Sequence, residues 1–220
     1  MTDTRLTLPA ASGRHAARNL WWKRPFDLVL GGAALLVTAP LIGFLAAAVI
    51  LEDGGPALFE QDRVGFHGRA FRMWKLRTMR VDCDQAAHQR GVTDWFRGRP
   101  AGHRYKTLAD ARVTRVGRLL RRLDLDELPQ LFNVLHGDMS LVGPRPAIPY
   151  ELAHYQPSYF GRLDVPPGMT GLWQVSDRAG MSAAEMMALD LRYAREASPW
   201  LDLSVMARTV LAVLAAARRT

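Results

Sequence analysis

The stretch LVLGGAALLVTAPLIGFLAAAVIL, residues 28–51, carries no charged side chain and decides the fold class of this chain. As one continuous helix it would be about 36 Å long, which exceeds the roughly 30 Å hydrocarbon core of a bilayer. Basic Lys23 and Arg24 stand before it, and acidic Glu52 and Asp53 follow it. The sequence therefore predicts a helix that enters a membrane.

Pro40 lies near the middle of this apolar stretch. A proline inside a helix removes one backbone hydrogen bond, costs about 3 kcal/mol in water, and commonly kinks the helix. Basic residues lie on both flanks, and such residues favour the cytoplasmic side of a membrane. A helix that enters, bends at Pro40 and returns to the same face satisfies both flanks. A spanning helix and a buried helix of a soluble protein are the alternatives.

The charge balance predicts a polyanionic partner. The 220 residues include 29 Lys and Arg against 21 Asp and Glu, a net charge of +8, and the only lysines are Lys23, Lys75 and Lys106. Arginine forks bind phosphate in a bidentate manner, so nucleic acid, anionic lipid or a nucleotide diphosphate would fit. Aromatic residues do not alternate with the arginines as a nucleic-acid stacking platform requires, so no nucleic-acid partner is expected. A single cysteine, Cys83, excludes an internal disulfide.

Three regions follow: a polar lead-in over residues 1–20, the membrane helix over 21–53, and a compact domain over 54–220. Two apolar runs around a glycine turn predict a short β-hairpin, over residues 57–61 and 70–74. Helices are predicted over residues 113–123, from near 126 to before 137, 182–196 and 201–219. The fold class is therefore α+β, mainly helical. The last helix is amphipathic and suits a membrane interface, with core packing as the alternative.

An acid pair, Asp126 and Glu127, stands at one of these helix starts. With Asp126 as N-cap, Pro129 falls at the third helical position, where its missing N–H costs nothing. The alternative is a capping box of Asp124 and Glu127, which would place Pro129 at the fifth position. A helix N-terminus keeps a carboxylate ionised, as a nucleophile must be. A catalytic pair and a simple cap both remain open on these grounds.

An ordered series of sequence blocks covers roughly residues 23–215. They are Lys-Arg-Pro-Phe-Asp at 23–27, Gln-Asp-Arg-Val-Gly at 61–65, Lys-Leu-Arg-Thr-Met at 75–79, the long block from Asp-Glu-Leu-Pro to Gly-Pro-Arg-Pro at 126–146, Pro-Gly-Met-Thr-Gly at 167–171 and Leu-Asp-Leu-Arg-Tyr at 189–193. In this order they resemble the bacterial sugar transferase family, the monotopic phosphoglycosyl transferases. The likeness is to the short form, without an extra N-terminal transmembrane domain.

The resemblance implies a specific reaction. Members move a sugar-1-phosphate from a UDP-sugar to undecaprenyl phosphate and release UMP. The residue matching Asp126 forms a covalent phosphosugar intermediate, the one matching Glu127 assists, and Mg²⁺ sits beside Asp126. The reaction initiates exopolysaccharide, capsule, O-antigen or glycoprotein glycan synthesis on the cytoplasmic face of the bacterial inner membrane. The resemblance also implies a re-entrant membrane helix broken at Pro40 and a catalytic domain over residues 54–220.

Further residues become candidates for binding substrate phosphate or nucleotide under this resemblance: Arg145, Arg112, Arg121, Lys75, Arg77, Gln174, Arg178 and Asp190. Arg145 stands between two prolines, which stiffen its loop and present the guanidinium fork to a phosphate. The alternative is a surface arginine in a proline loop. For Asp190 the alternative is a carboxylate on a helix surface. The sequence selects no particular sugar, and it is compatible with a homo-oligomer.

Overall fold

The computed structural model describes residues 20–80, 86–98, 112–176 and 180–218. Within these ranges the helices are α1 (Lys23–Asp53), α2 (Ala86–Phe96), α3 (Arg115–Arg122), α4 (Gln130–His136), α5 (Ala183–Glu196) and α6 (Pro199–Arg218), and the strands are β1 (Leu58–Val64), β2 (Ala70–Leu76), β3 (Ser140–Val142) and β4 (Gly168–Thr170). The mainly helical α+β class is confirmed. The lead-in before residue 20 and Arg178 lie outside the described residues.

The predicted hairpin is confirmed. Strands β1 and β2 pair antiparallel from Leu58↔Leu76 to Val64↔Ala70. The chain reverses through a 3-10 turn, Phe66–Gly68, in which Gly68 has a φ of 77°, a conformation that costs glycine little. Both strands end later than predicted. Phe71 and Met73 on one face of β2 are buried in the main core, and Leu76 on the other face is buried in a second cluster with Val49 and Leu120.

A second strand pair was not predicted. Strands β3 and β4 run parallel, and Gly143 N–H donates to Thr170 O at 2.9 Å just beyond β3. The backbones approach so closely that a Cβ on Gly143 would lie 2.3 Å from Pro166 O, and one on Gly168 would lie 2.0 Å from Gly143 N. Glycine is therefore required at both positions. Three-residue strands are too short to show hydrophobic alternation, so their sequence does not indicate this pairing.

The helix start at the acid pair differs from both predicted capping schemes. The chain makes a 3-10 turn, Leu125–Glu127, and α4 begins only after it with Pro129 as N-cap. Asp126 is therefore not the N-cap, and Asp124 makes no capping bond through its side chain. Asp124 adopts a left-handed φ of 54°, which redirects the chain before the proline. Pro129 loses nothing at the N-cap because it has no N–H to leave unpaired.

Helix α1 remains helical through Pro40, so the predicted break is not seen as an interruption. Among the described residues it is the helix long and apolar enough to cross a membrane, judged by length and composition. Its two ends dock on the same domain. Gly31 approaches Val134 near the first end, and Val49 is buried in one cluster with Leu120 near the second.

The middle of α1 is exposed, with Leu36 and Val37 each 78% accessible. Charged residues fasten the two docked ends. At the first end, Lys23 Nζ donates to Asp202 Oδ2 of α6 at 2.6 Å, and Ser140 Oγ donates to Asp27 Oδ1 at 2.8 Å. At the second end, the Glu52 carboxylate accepts from the first N–H groups of α3. The exposed apolar middle is therefore held between two polar anchors.

Helices α5 and α6 complete the domain close to where they were predicted. A capping box between Ser182 and Glu185 starts α5. The inner face of α6 buries Asp202 and Val205. Its outer face exposes large apolar side chains, which are Trp200, Leu203, Val210, Leu211 and Leu214. This surface is apolar and uncovered by the rest of the described chain.

Candidate active site

The acid pair lies where a strand and two helices meet. Asp126 is only 4% exposed, and Glu127 beside it is half-buried. Lys75 Nζ, near the end of β2, donates to Glu127 Oε1 at 3.1 Å. Helix α3 and strand β2 both contact the 3-10 turn that carries the pair. The structure therefore brings three of the predicted residues, Lys75, Asp126 and Glu127, into one place.

Arg121 approaches the same region from α3. Its Nε donates to Thr78 Oγ1 at 2.8 Å. Helix α3 can come this close because position 117 is glycine: a Cβ there would lie 2.2 Å from Thr78 O. Arg112 lies half-buried just before α3, where its carbonyl accepts from Arg80 N–H at 3.1 Å. Both predicted arginines therefore contact the segment that follows β2, through Thr78 and Arg80.

Arg77 is engaged elsewhere. Its guanidinium binds the Asp53 carboxylate at the end of α1 in a bidentate manner, with Nη1 to Oδ2 at 2.6 Å, and Nε donates to Pro56 O. Only 6% of the residue is exposed. These contacts join the second end of α1 to the hairpin. In this structure Arg77 serves that junction, two residues along the chain from Lys75.

The backbone of residues 144–147 is held at every carbonyl. The four donors come from three elements, since Arg63 and Val64 both belong to β1: Gly168 N–H to Pro144 O at 2.8 Å, Arg162 Nη2 to Arg145 O at 2.5 Å, Arg63 Nη1 to Pro146 O at 3.0 Å, and Val64 N–H to Ala147 O at 2.8 Å. A loop fixed in this way loses little entropy on binding a ligand. This segment, residues 144–147, is termed the arginine loop, and it presents Arg145 in one arrangement.

The Arg145 side chain is buried rather than on the surface, with 8% of the residue exposed. Its Nη1 donates to both carboxylate oxygens of Glu151, at 3.2 and 3.3 Å, and Ile148 N–H donates to Glu151 Oε2. Burial lowers the pKa of Arg145. Burial would raise the pKa of Glu151, but Arg145 and Arg63 outweigh it and hold that pKa below its ordinary value. The surface interpretation of Arg145 is therefore wrong.

Asp190 is fully buried, so its interpretation as a surface carboxylate is also wrong. It forms an ion pair with Arg162. The Arg162 guanidinium is itself buried and also donates to the Tyr155 hydroxyl. Burial raises the pKa of Asp190 to about 6, although Arg162 and Arg145 oppose the rise. Asp190 thus acts on the arginine loop through Arg162.

Two residues of this network, Arg63 and Arg162, were not singled out from the sequence. Arg63 belongs to the Gln-Asp-Arg-Val-Gly block, which was the available signal, whereas Arg162 lies in no such block. Burial lowers the pKa of Arg63, and the negative charges of Glu151 and Glu127 partly restore it. Arg63 therefore lies within electrostatic reach of both the arginine loop and the acid pair.

Gln174 lies in the turn after β4, where its Nε2 donates to Met169 O at 2.9 Å. It stands near the strand pair that supports the arginine loop, since Gly168 donates to Pro144 O. The described structure therefore forms two groups, the acid pair with Lys75 and the buried cluster of Arg145, Arg162, Glu151 and Asp190.

The acid pair fits a magnesium site in which the protein supplies only one or two of the ligands. Within the described ranges, no three His, Cys, Asp or Glu side chains converge as a metal cage would require. Mg²⁺ in phosphoryl-transfer sites commonly takes one or two carboxylates and completes its shell with substrate phosphates and water. Asp126 with the adjacent Glu127 offers that smaller set.

These features combine a long apolar helix with an exposed middle and a domain that buries a carboxylate beside a lysine–glutamate ion pair. A model of the bacterial sugar transferase family matches residues 18–216, and the chain belongs to this family. It is 39% identical over 196 residues to "Exopolysaccharide production protein ExoY" of Rhizobium meliloti, which covers 87% of this chain and 84% of that protein.

Two further relatives carry more specific names. The chain is 43% identical over 203 residues to "UDP-glucose:undecaprenyl-phosphate glucose-1-phosphate transferase" of Caulobacter vibrioides, covering 87% of this chain and 69% of that protein. It is 40% identical over 192 residues to "Undecaprenyl-phosphate galactose phosphotransferase" of Salmonella typhimurium, covering 87% of this chain. The chain spans only 40% of the length of that last relative and 41% of a streptococcal galactosyl transferase.

Proposed function

We propose that this protein transfers a sugar-1-phosphate from a UDP-sugar to undecaprenyl phosphate and so initiates exopolysaccharide or a related glycan. The observation that carries the proposal is the buried Asp126 beside the Lys75–Glu127 pair, in a chain of the bacterial sugar transferase family. The names of its relatives, which include undecaprenyl-phosphate glucose and galactose transferases, support the substrate class.

The reaction proceeds in two displacements. An Asp126 oxygen attacks the sugar-proximal phosphorus, a phosphorus–oxygen bond of the diphosphate breaks, and UMP leaves with the bonding electrons. A phosphate oxygen of undecaprenyl phosphate then attacks the same phosphorus, which restores the Asp126 carboxylate and gives undecaprenyl-diphospho-sugar. A carboxylate nucleophile splits one difficult transfer into two easier ones.

Neighbouring groups stabilise the charge of this transfer. Lys75 holds Glu127 in place and adds a positive charge next to the reacting phosphate. Arg121 and Arg112 supply further cations on the adjoining segment, and fixed cations of this kind stabilise developing charge more than mobile water does. When bound, Mg²⁺ would be held by Asp126 and would neutralise the diphosphate.

The arginine loop is the second proposed phosphate contact. Arg145, Arg178 and Gln174 belong to our proposal on the strength of the family resemblance. Arg77 also remains in the predicted set, although its contact with Asp53 gives it a structural role in this arrangement. Because Arg145 is paired with Glu151, a substrate phosphate would have to compete with that carboxylate or add to the same guanidinium.

The membrane helix is proposed to be re-entrant. Both ends of α1 are fastened to one domain by Lys23 and Glu52, while Leu36 and Val37 in its middle are exposed. Because both ends of α1 are fastened to one domain, we propose that the helix enters and leaves the membrane on the same face. We place that face in the cytoplasm of the bacterial inner membrane, and the outer side of α6 at the lipid interface.

The test is a measurement of UMP. Protein in nanodiscs receives Mg²⁺, undecaprenyl phosphate and each of several UDP-sugars, with released nucleotide separated by chromatography. UMP from one donor supports the proposal and names the sugar. UDP in place of UMP would mean ordinary glycosyl transfer, and no nucleotide from folded protein would favour a membrane scaffold without catalysis.

A further inference from the structure

A cavity of about 320 Å³ lies along the free edge of strand β1. Its lining comes from β1, α2 and the 3-10 turn that follows the arginine loop: Phe59, Gln61, Asp62, Gln89, Ile148 and Tyr150. The volume falls within the range of about 300–1,000 Å³ that is usual for small-molecule sites. None of these side chains was assigned a role above.

The cavity lies beside the acid pair. Phe59 in its wall is the cross-strand partner of Lys75, whose Nζ contacts Glu127. On the other side, Tyr150 lies one residue from Glu151, the partner of Arg145. The cavity wall therefore includes a neighbour of the acid pair and a neighbour of the arginine loop. Gln61 in the wall also contacts Arg63, which interacts electrostatically with both Glu127 and Glu151.

The free edge of β1 offers main-chain hydrogen-bonding groups to this cavity. Val64 exchanges both N–H and C=O bonds with Ala147, so its main-chain groups point away from β2. In an antiparallel strand alternate residues point to the same side, which places the N–H and C=O of Glu60 and Asp62 on this edge. No third strand covers the edge in the part of the chain that is described.

Gln61 adds an oriented amide. Its Oε1 accepts from Arg63 Nη2 at 2.6 Å, and Arg63 itself is buried against Pro146 O. An amide whose oxygen is engaged presents its NH₂ group as a donor. The side chain therefore offers hydrogen-bond donors from a fixed position.

The charge of the wall selects the kind of ligand. The charged residues in the lining are Glu60 and Asp62, and no lysine or arginine among the described residues lines the cavity. The Glu60 carboxylate accepts from Arg72 Nη1 at 3.1 Å, which leaves Asp62 as the acidic residue of the wall with no ion pair described. A phosphate would be repelled there, whereas hydroxyl groups can donate to carboxylates and carbonyls and accept from amides. The aromatic rings of Phe59 and Tyr150 add apolar contact for a ring's carbon face.

The geometry points to this cavity as the subsite for the sugar ring of the donor, with Gln61 as a residue that binds a sugar hydroxyl. The inference rests on the proposed function, since it assumes a nucleotide-sugar whose diphosphate lies at the acid pair. The uridine is then placed outside the cavity, on the far side of the diphosphate.

The experiment compares UDP-sugar with UDP, which lacks the sugar. Binding of each to wild type and to Gln61→Glu is titrated calorimetrically in nanodiscs, and UMP release is measured in parallel. Gln61→Glu keeps an oxygen for Arg63 and removes the amide donors. We expect the UDP-sugar dissociation constant to rise about tenfold, the equivalent of one hydrogen bond, with UDP binding unchanged. The matched control is Gln156→Glu, the same change at an exposed glutamine outside the cavity.

Equal weakening of UDP and UDP-sugar would assign the cavity to the nucleotide and overturn the inference, as would unchanged binding of both. If Gln61→Glu fails to fold, Gln89→Ala, an exposed residue of the lining, should weaken UDP-sugar binding selectively, and no selective loss would overturn the inference. Wild type that binds UDP-sugar but releases no UMP would contradict the proposed reaction and leave the subsite comparison intact.

Discussion

At the scale of single residues, Asp126 carries the proposed chemistry. Its carboxylate is buried at a junction of β2, α3 and a 3-10 turn, so its position is set by packing and not by a flexible loop. Glu127, the adjacent acid, is half-buried and tied to Lys75. The two acids therefore have different surroundings, as two different roles would require.

Replacement of Asp126 by asparagine should abolish the covalent phosphosugar and reduce UMP release by at least about 10³-fold, because an amide cannot form the acyl phosphate. Intact-protein mass spectrometry after mixing with UDP-sugar alone measures the adduct. Asp138→Asn, a carboxylate paired with His136 outside the site, is the control and should keep the adduct. UMP release that persists in Asp126→Asn would exclude this nucleophile.

Glu151 should make the protein sensitive to acid. Its folded pKa lies below the ordinary value of 4.5, so its stabilising contribution is complete above pH 4.5 and is lost as pH falls through the folded pKa. Glu151→Gln removes this dependence and leaves Arg145 buried without its counter-charge, at a cost of about 3–5 kcal/mol near neutral pH. Thermal unfolding from pH 3 to 7 measures both. The difference in stability between the two proteins should shrink at low pH, and a constant difference would contradict the assignment.

At the scale of elements, close backbone contacts place the functional segments. Helix α3 reaches the segment after β2 through Gly117, and strands β3 and β4 meet through Gly143 and Gly168. The first contact brings Arg121 within hydrogen-bond distance of Thr78. The second lets Gly168 N–H donate to Pro144 O of the arginine loop. Small residues therefore fix where the cations lie.

Gly117→Ala tests the first of these contacts. The added Cβ would lie 2.2 Å from the backbone oxygen of Thr78, so α3 must shift and the Arg121–Thr78 contact is lost. We expect a loss of about 1–3 kcal/mol in stability, as for other overpacked sites, together with reduced activity. Gly91→Ala in α2 is the matched control, since its Cβ meets nothing within 4 Å, and it should be neutral or stabilising. Equal melting temperatures for both variants would refute the contact argument.

At the scale of the whole molecule, the long apolar helix α1 and the rest of the described chain are fastened together. Lys23, Asp27, Glu52 and Asp53 are all engaged by partners in the domain, at opposite ends of α1. Exposed apolar side chains occur on the middle of α1 and on the outer face of α6. A domain bound to lipid through both surfaces would keep its site near the membrane, where the lipid phosphate of our proposal would reside.

The re-entrant path predicts that both chain ends lie on the same membrane face. Epitope tags at the two termini should be digested together by protease added to inverted vesicles and protected together in right-side-out ones. Replacing Pro40 by leucine favours a straight helix, since leucine restores the missing N–H, and should move part of the population to opposite faces. Ala39→Leu is the control. Tags on opposite faces in the unchanged protein would establish a spanning helix.

The sequence by itself determined the long apolar helix, the hairpin, helix α5 and the position of the acid pair. Each follows from local composition: an uncharged run, two apolar runs around a glycine turn, a helical apolar pattern, and two acids shortly before a proline. Only the tertiary structure decided the parallel pair of β3 and β4, the burial of Arg145 and Asp190, and the use of Arg77 at the end of α1. These depend on residues far apart in the chain, since Arg162 meets Asp190 and Lys23 meets Asp202 only after folding. A local sequence pattern shows that a charged residue is present. Its ion-pair partner depends on which backbone segments approach each other in the folded protein.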